Sequence, residues 1–407
     1  MSLTKERHTI IAAAAGLLGL AVALPLAGCG NSPASSGRAR PATGITAPAL
    51  ATALAAPAGG ASWAVVQMGG SSAQHNNFWE LFVRPAGATG WKLATPGGAA
   101  SNGGLVAAVT GSGSLLAGVR PSQDLKFTPL AQTTDAGANW SEGNVLDTGL
   151  ADVPGALVAG PSGRLLAITE SGDVDTSSGR GASWSRLTTQ RALGGTTAGR
   201  SCRLTAVTAA AWTPGGDPLL AGDCSKHGVA GIFTAASGTW RSAAPSLPAA
   251  LAADQVSVIG LTTKATRTTA VLAVGTGAAT GVIAAWSADG GSSWRLSPEL
   301  RTGPATSSTV TGPSVSFGAD GSAGLVLPGT HASSRGRGAM IGWQSAGWQE
   351  LPQLPAYTAT IAVTQSGTPE ALAARGAALT VWQLPDASGR WAPQQMLHVP
   401  IPYGSSG

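Results

Sequence analysis

Charge is scarce in this chain: 24 Lys and Arg and 19 Asp and Glu are spread over 407 residues. A nucleic-acid binder gathers its basic residues on one face or stripe, and no such block interrupts this sequence, so the net charge of +5 does not point to one. Tyrosine is limited to Tyr357 and Tyr403. Beyond the first 29 residues the histidines are His75, His227, His331 and His398, with no metal-like local spacing. No later apolar run approaches the roughly 20 residues of a spanning helix. A Gly-x-Ser-x-Gly elbow is missing, and Gly275 to Gly281 has the wrong glycine spacing for a dinucleotide fingerprint. Asp173-Val174-Asp175 puts two carboxylates in a Gly-rich stretch but lacks the further oxygens of a calcium site. Neither a metal nor a cofactor is expected, and no catalytic residue is assigned.

What the chain has in abundance is turn chemistry: 58 Gly and 26 Pro among many Ser and Thr. These residues suit tight turns between short strands. Seven tryptophans, Trp91, Trp140, Trp184, Trp240, Trp294, Trp348 and Trp391, recur at intervals of 43 to 56 residues. Each closes a run of short apolar segments, and that period is the one four-stranded propeller blades produce. The expected fold is all-β: a seven-bladed β-propeller of four-stranded antiparallel blades over residues 58–407, preceded by a signal peptide (1–28) and a flexible linker (29–57). The first blade shows three evident strands, so its fourth comes either from Ala49 to Ala56 or from Val399 to Tyr403.

Lys5, Glu6 and Arg7 form a short charged head, and Ile10 to Leu24 is an apolar run, which together read as a secretory leader. It ends in Leu26-Ala27-Gly28-Cys29, which resembles the lipobox of bacterial lipoproteins. That resemblance implies acylation of Cys29 and attachment to the outer face of a membrane. Residues 30 to about 60 are nearly all Ala, Gly, Pro, Ser and Thr, too poor in apolar surface to fold, and read as a tether. Of three cysteines this leaves Cys202 and Cys224 in an exported protein. The blade partition puts Cys202 just before one inner strand and Cys224 just after its neighbour, on one rim, so a disulfide is expected.

Thr133-Thr134-Asp135-Ala136-Gly137-Ala138-Asn139-Trp140 and Ser287-Ala288-Asp289-Gly290-Gly291-Ser292-Ser293-Trp294 resemble the Asp-box, or BNR repeat, of sialidase-like propellers; Ser177 to Trp184 resembles a decayed copy with Gly179 in the Asp place. The resemblance implies structural roles: Thr133 and Ser287 with Asp135 and Asp289 bond the hairpin backbone, Gly137 and Gly291 take positive φ, and Trp140 and Trp294 pack between blades. A sialidase site needs three arginines, a tyrosine nucleophile with a glutamate partner and an acid/base. Tyr357 has only Glu350 near it in sequence, and Arg84-Pro85 stands at a strand end.

Polar residues otherwise scarce fall in loops between second and third strands, His75, Asp124, Asp173, His227, His331, Arg335 and Arg337, with Asp175 at the start of the strand that follows Asp173. They mark that rim as the candidate ligand surface. The expected function is a membrane-anchored, extracytoplasmic, monomeric and non-catalytic platform binding a protein, peptide or cell-wall glycan, with no nucleic-acid partner. The alternative is an exo-acting glycoside hydrolase with an atypical site, which would require two converging carboxylates.

Overall fold

A computed structural model describes residues 52–56, 59–69, 77–97, 104–120, 130–142, 154–169, 171–178, 181, 183–276, 279–304, 313–327, 336–364, 367–385 and 389–400, all within the compact unit 42–407. It is an all-β propeller whose blades are four-stranded antiparallel meanders. Each runs from an inner strand on the axis outward to a short edge strand. The apolar segments that sequence periodicity marks become these strands with small shifts. Residues 204–242, for instance, contain Leu204–Trp212, Pro218–Cys224, Gly231–Ala236 and Thr239–Ser242.

Five sheets stand as separate blades, at 104–142, 154–189, 204–242, 255–304 and 358–398. The expectation of seven separate blades is therefore corrected. The meanders 52–93 and 314–350 share one eight-stranded sheet, because the inner strand Thr52–Ala55 uses both its edges. One edge pairs antiparallel with Ser62–Gly69 from Thr52↔Val65 to Ala55↔Ser62. The other meets Ser314–Phe317 in parallel at Leu54↔Phe317. Thr52 Oγ1 donates to Val315 O at 2.9 Å and Ala53 N to Ser316 Oγ at 2.9 Å. The missing first-blade strand thus comes from the N-terminal segment. The C-terminal side forms the outer strand Ala392–His398 of another blade.

The seven periodic tryptophans each sit at the entry to an outer strand, Trp240 one residue inside it. Their rings pack into the apolar layers between and within neighbouring blades, Trp140 with Trp63 and Leu105, Trp348 with Val271 and Leu325. Three also bond the preceding blade through the indole N–H: Trp294 to Ala243 O at 2.7 Å, Trp391 to Pro352 O at 3.2 Å, and Trp91 to Glu370 Oε2 at 2.9 Å. An indole couples a large apolar area to one donor, so these three positions both fill space and tie one blade to the next.

Two features depart from the expected strand order. Between the third and fourth Trp positions lie two short helices, α1 (Gln190–Gly194) and α2 (Thr197–Cys202). The hydroxyls of Thr189 and Thr196 accept from Ala192 N and Gly199 N, both at 3.0 Å, as N-caps. Helices this short leave no apolar period to detect. The outer strand after Trp294 is also split, into Arg295–Leu296 and Leu300–Pro304, both against Ala279–Ser287. Pro298, which has no N–H to give the ladder, falls in the gap.

Candidate functional site

The inner strands enclose an axial cavity of about 460 Å³. Where strands converge on an axis only small side chains fit side by side, and the sequence supplies them: Ala107-Ala108 in one inner strand, Ala209-Ala210-Ala211 in another. Thr52, Thr208, Thr262 and Thr263 add hydroxyls. Two of these donate to inner-strand carbonyls, Thr52 to Val315 O and Thr208 to Val258 O at 3.1 Å. No carboxylate lines the cavity among the described residues, and its single charged group is Lys264.

Lys264 ends the ten-residue inner strand Gln255–Lys264 and enters a tight turn in which Ala265 has φ 52°. Its Nζ donates to Ala55 O at 2.9 Å, the last carbonyl of the N-terminal strand. Burial holds the ammonium below the usual lysine range, because desolvation disfavours the charged form. Sequence reasoning missed this residue. Its signal was a lone lysine at the end of an otherwise uncharged inner strand.

The cavity is walled by the inner strands' C-terminal halves and the turns after them, at Pro161, Pro214 and Ala265. It therefore faces the end of the propeller that also carries the carboxylate hairpins, opposite the rim expected from sequence. Of the expected rim residues, His75, Asp124, His331 and Arg335 lie outside the described residues, as does Cys29. Asp173 and Asp175 are not loop residues. They lie in the strand Asp173–Ser177, where Arg186 of the adjacent strand pairs with them at 2.8 and 3.2 Å. The alternation of Asp173-Val174-Asp175 places both carboxylates on one face, and the polar count alone hid that strand pattern. Arg337 begins a strand and pairs with Glu350 at 2.9 Å, while also donating to Thr302 O at 3.2 Å. His227 is exposed, its Nδ1 2.7 Å from Ala253 O. These groups sit in different blades and have protein partners of their own.

The same rim carries a shallow depression of about 570 Å³ beside the two helices, edged by Arg191, Arg200 and Arg203. The helices are pinned by the disulfide Cys202–Cys224, whose Cα atoms are 5.3 Å apart. Cys202 closes α2 and Cys224 closes the strand Pro218–Cys224. A disulfide belongs to an oxidising compartment. No described helix is long and apolar enough to cross a membrane.

Thr133, Asp135, Ser287 and Asp289 build hairpin turns. Thr133 Oγ1 accepts from Gly137 N at 3.0 Å and donates to Asp135 Oδ1 at 2.9 Å. Asp135 in turn accepts from Asn139 N at 2.9 Å. Around Asp289 the pattern repeats, with Ser287 Oγ accepting from Gly291 N at 2.8 Å and Asp289 accepting from Ser292 N and Ser293 N. Gly137 and Gly291 have φ of 76° and 93°. Hydrogen bonds from Asn139 hold Asp135 at about 2, and those from Ser293 hold Asp289 at about 2. In the third copy Ser177 Oγ still accepts from Gly181 N at 3.0 Å. None of these carboxylates lines the axial cavity.

Two other carboxyls, Glu80 and Asp223, are pushed up by burial. Raised acids are candidates for proton donors. These two belong to different blades, Glu80 bonded to Thr95 and Asp223 to Ser257, and neither lines the cavity.

No family model matches the sequence. No curated protein matches it either. Solved structures do resemble it. A GH74 xyloglucanase from Xanthomonas campestris aligns with a TM-score of 0.51 at 13% identity, over 84% of this chain and 53% of that one. A 6-phosphogluconolactonase candidate from Bacteroides uniformis aligns with a TM-score of 0.50 at 12% identity, over 83% of this chain and 96% of that one. YCF48 bound to D1 peptide reaches a TM-score of 0.39 at 14% identity, over 88% and 96%. At these identities the first two likenesses show that the chain has a β-propeller fold, and they carry nothing finer.

Proposed function

We propose that this protein is a lipid-anchored, extracytoplasmic propeller that binds a partner without transforming it. The observation that carries the reading is the axial cavity, whose described lining is apolar and hydroxylic with one ammonium and no carboxylate. Glycoside hydrolysis needs two carboxyl groups about 5 to 9.5 Å apart, one to donate a proton and one to attack or to activate water. The described lining supplies neither, which favours binding over the hydrolase alternative. In this reading Cys29 bears the acyl anchor, the residues between it and Thr52 form the tether, and the propeller from Thr52 onward presents the binding body as a monomer. The disulfide supports an oxidising location. The partner class remains protein, peptide or cell-wall glycan.

Two measurements test it. Wild-type protein should incorporate labelled fatty acid and Cys29→Ala should not, and an unlabelled wild-type chain would refute the anchor. Incubating the wild-type chain with a panel of aryl glycosides and cell-wall oligosaccharides should release no product, whereas turnover abolished by mutation within the cavity would establish the hydrolase.

A further inference from the structure

The axial cavity has a chemical polarity that narrows its ligand. At one end an ammonium, Lys264, makes its one described protein bond to a backbone carbonyl, Ala55 O, and faces no carboxylate among the cavity's described lining. A desolvated cation without a counter-ion is costly unless an anion completes it. Along the wall, Thr52 and Thr208 give their hydroxyl protons to Val315 O and Val258 O. A hydroxyl whose proton is committed offers lone pairs, so it recognises N–H groups. Ala108, Val158, Ala210 and Leu261 also line the cavity and suit small apolar side chains. The volume of about 460 Å³ is that of a small-ligand site. An acceptor anion, neighbouring N–H donors and small apolar groups occur together at the carboxyl end of a peptide chain. A fatty acid has the anion and the apolar body but no N–H.

We propose that the axial cavity receives the free C-terminal end of a peptide, with Lys264 as the counter-ion of its carboxylate and the inner-strand threonines as acceptors for its amides. This rests on the binding reading above and names its ligand. Lys264 reaches from one blade to the end of the N-terminal strand, so the anion would sit where that strand terminates.

The test is calorimetric titration of the full-length protein with three probes: N-acetyl-Ala-Ala-Val as the free acid, the same tripeptide as its C-terminal amide, and hexanoate. The free acid should bind, with the amide and hexanoate roughly ten- to hundredfold weaker, the range for loss of a charge-assisted hydrogen bond. Lys264→Met should lose the free acid to the same degree, and Lys264→Arg should retain it in part. Equal binding of acid and amide, hexanoate matching the tripeptide, undiminished binding by Lys264→Met, or no binding of the free acid at millimolar concentration would each overturn the proposal. The acid-to-amide comparison uses wild-type protein and stands whatever the variants do. If Lys264→Met still retains the partner that wild type draws from envelope extract, the platform reading survives and the cavity assignment alone falls.

Discussion

Lys264 makes its chemistry visible through stability. Its ammonium is disfavoured in the folded state, its pKa falling below the ordinary 10.5, so the fold carries a penalty wherever the side chain is charged. That penalty is full below the lowered pKa and fades as pH rises through it towards 10.5. Lys264→Met should therefore melt at a higher temperature than wild type at pH 7, with the gap narrowing towards pH 10.5. A lower melting temperature at pH 7 would mean that the bond to Ala55 O outweighs the burial of charge. Asp289 behaves oppositely. Its pKa in the fold is about 2 against an ordinary 3.8, so it adds stability that is complete above 3.8 and lost as pH falls through about 2. Asp289→Asn should lower the melting temperature at pH 6 and leave it unchanged below pH 2, as followed by circular dichroism across a pH series.

At the scale of elements, the closure between the first and last meanders depends on a few groups. Glu370 accepts from Trp91 Nε1 and pairs with Arg84, whose side chain is 14% exposed against 8% for Glu370. Gln395 adds a reciprocal pair, accepting from Trp91 N at 2.8 Å and donating to Trp91 O at 2.7 Å. Removing one partner of a buried pair leaves an unpaired charge and costs about 3 to 5 kcal/mol. Glu370→Ala should destabilise to that extent in urea titration, because it also orphans the Trp91 N–H. Deleting residues 42–56 should do harm of another kind, exposing the inner edge of Ser62–Gly69 to pairing with other chains. The expected result is a lower melting temperature with concentration-dependent association in light scattering. The two short helices were hidden in the sequence, whereas the N-terminal strand was visible only as one of two candidates. Thr52–Ala55 is only four residues of Thr, Ala and Leu, which suit strand or helix equally, and its place depends on partners more than 250 residues away.

Over the whole molecule, much of the architecture was legible because it repeats. Trp140 and Trp294 each end a hydroxyl-carboxylate-glycine phrase, and a signal recurring every 43 to 56 residues survives local ambiguity. The grouping of strands into sheets was less legible, since the parallel bridge Leu54↔Phe317 leaves no local trace in the chain. The cavity was hidden for a similar reason. Loop polarity drew attention to Asp173, His227 and Arg337, yet Asp173 and Arg337 are held in ion pairs, while the inner strands' alanines and Lys264 gave the axis its character. Chemistry at a hub is assembled from one or two residues per module, so no contiguous motif announces it.

The strand Thr52–Ala55 also decides how the molecule meets mechanical load. A pull applied from the N-terminal side arrives at a strand bonded along both edges, and its ladder to Ser62–Gly69 is strained along its length, so several bonds must shear together. In optical-trap extension from the N-terminus, the earliest rupture should therefore free these four residues as one step, and the Lys264 bond to Ala55 O should break with it.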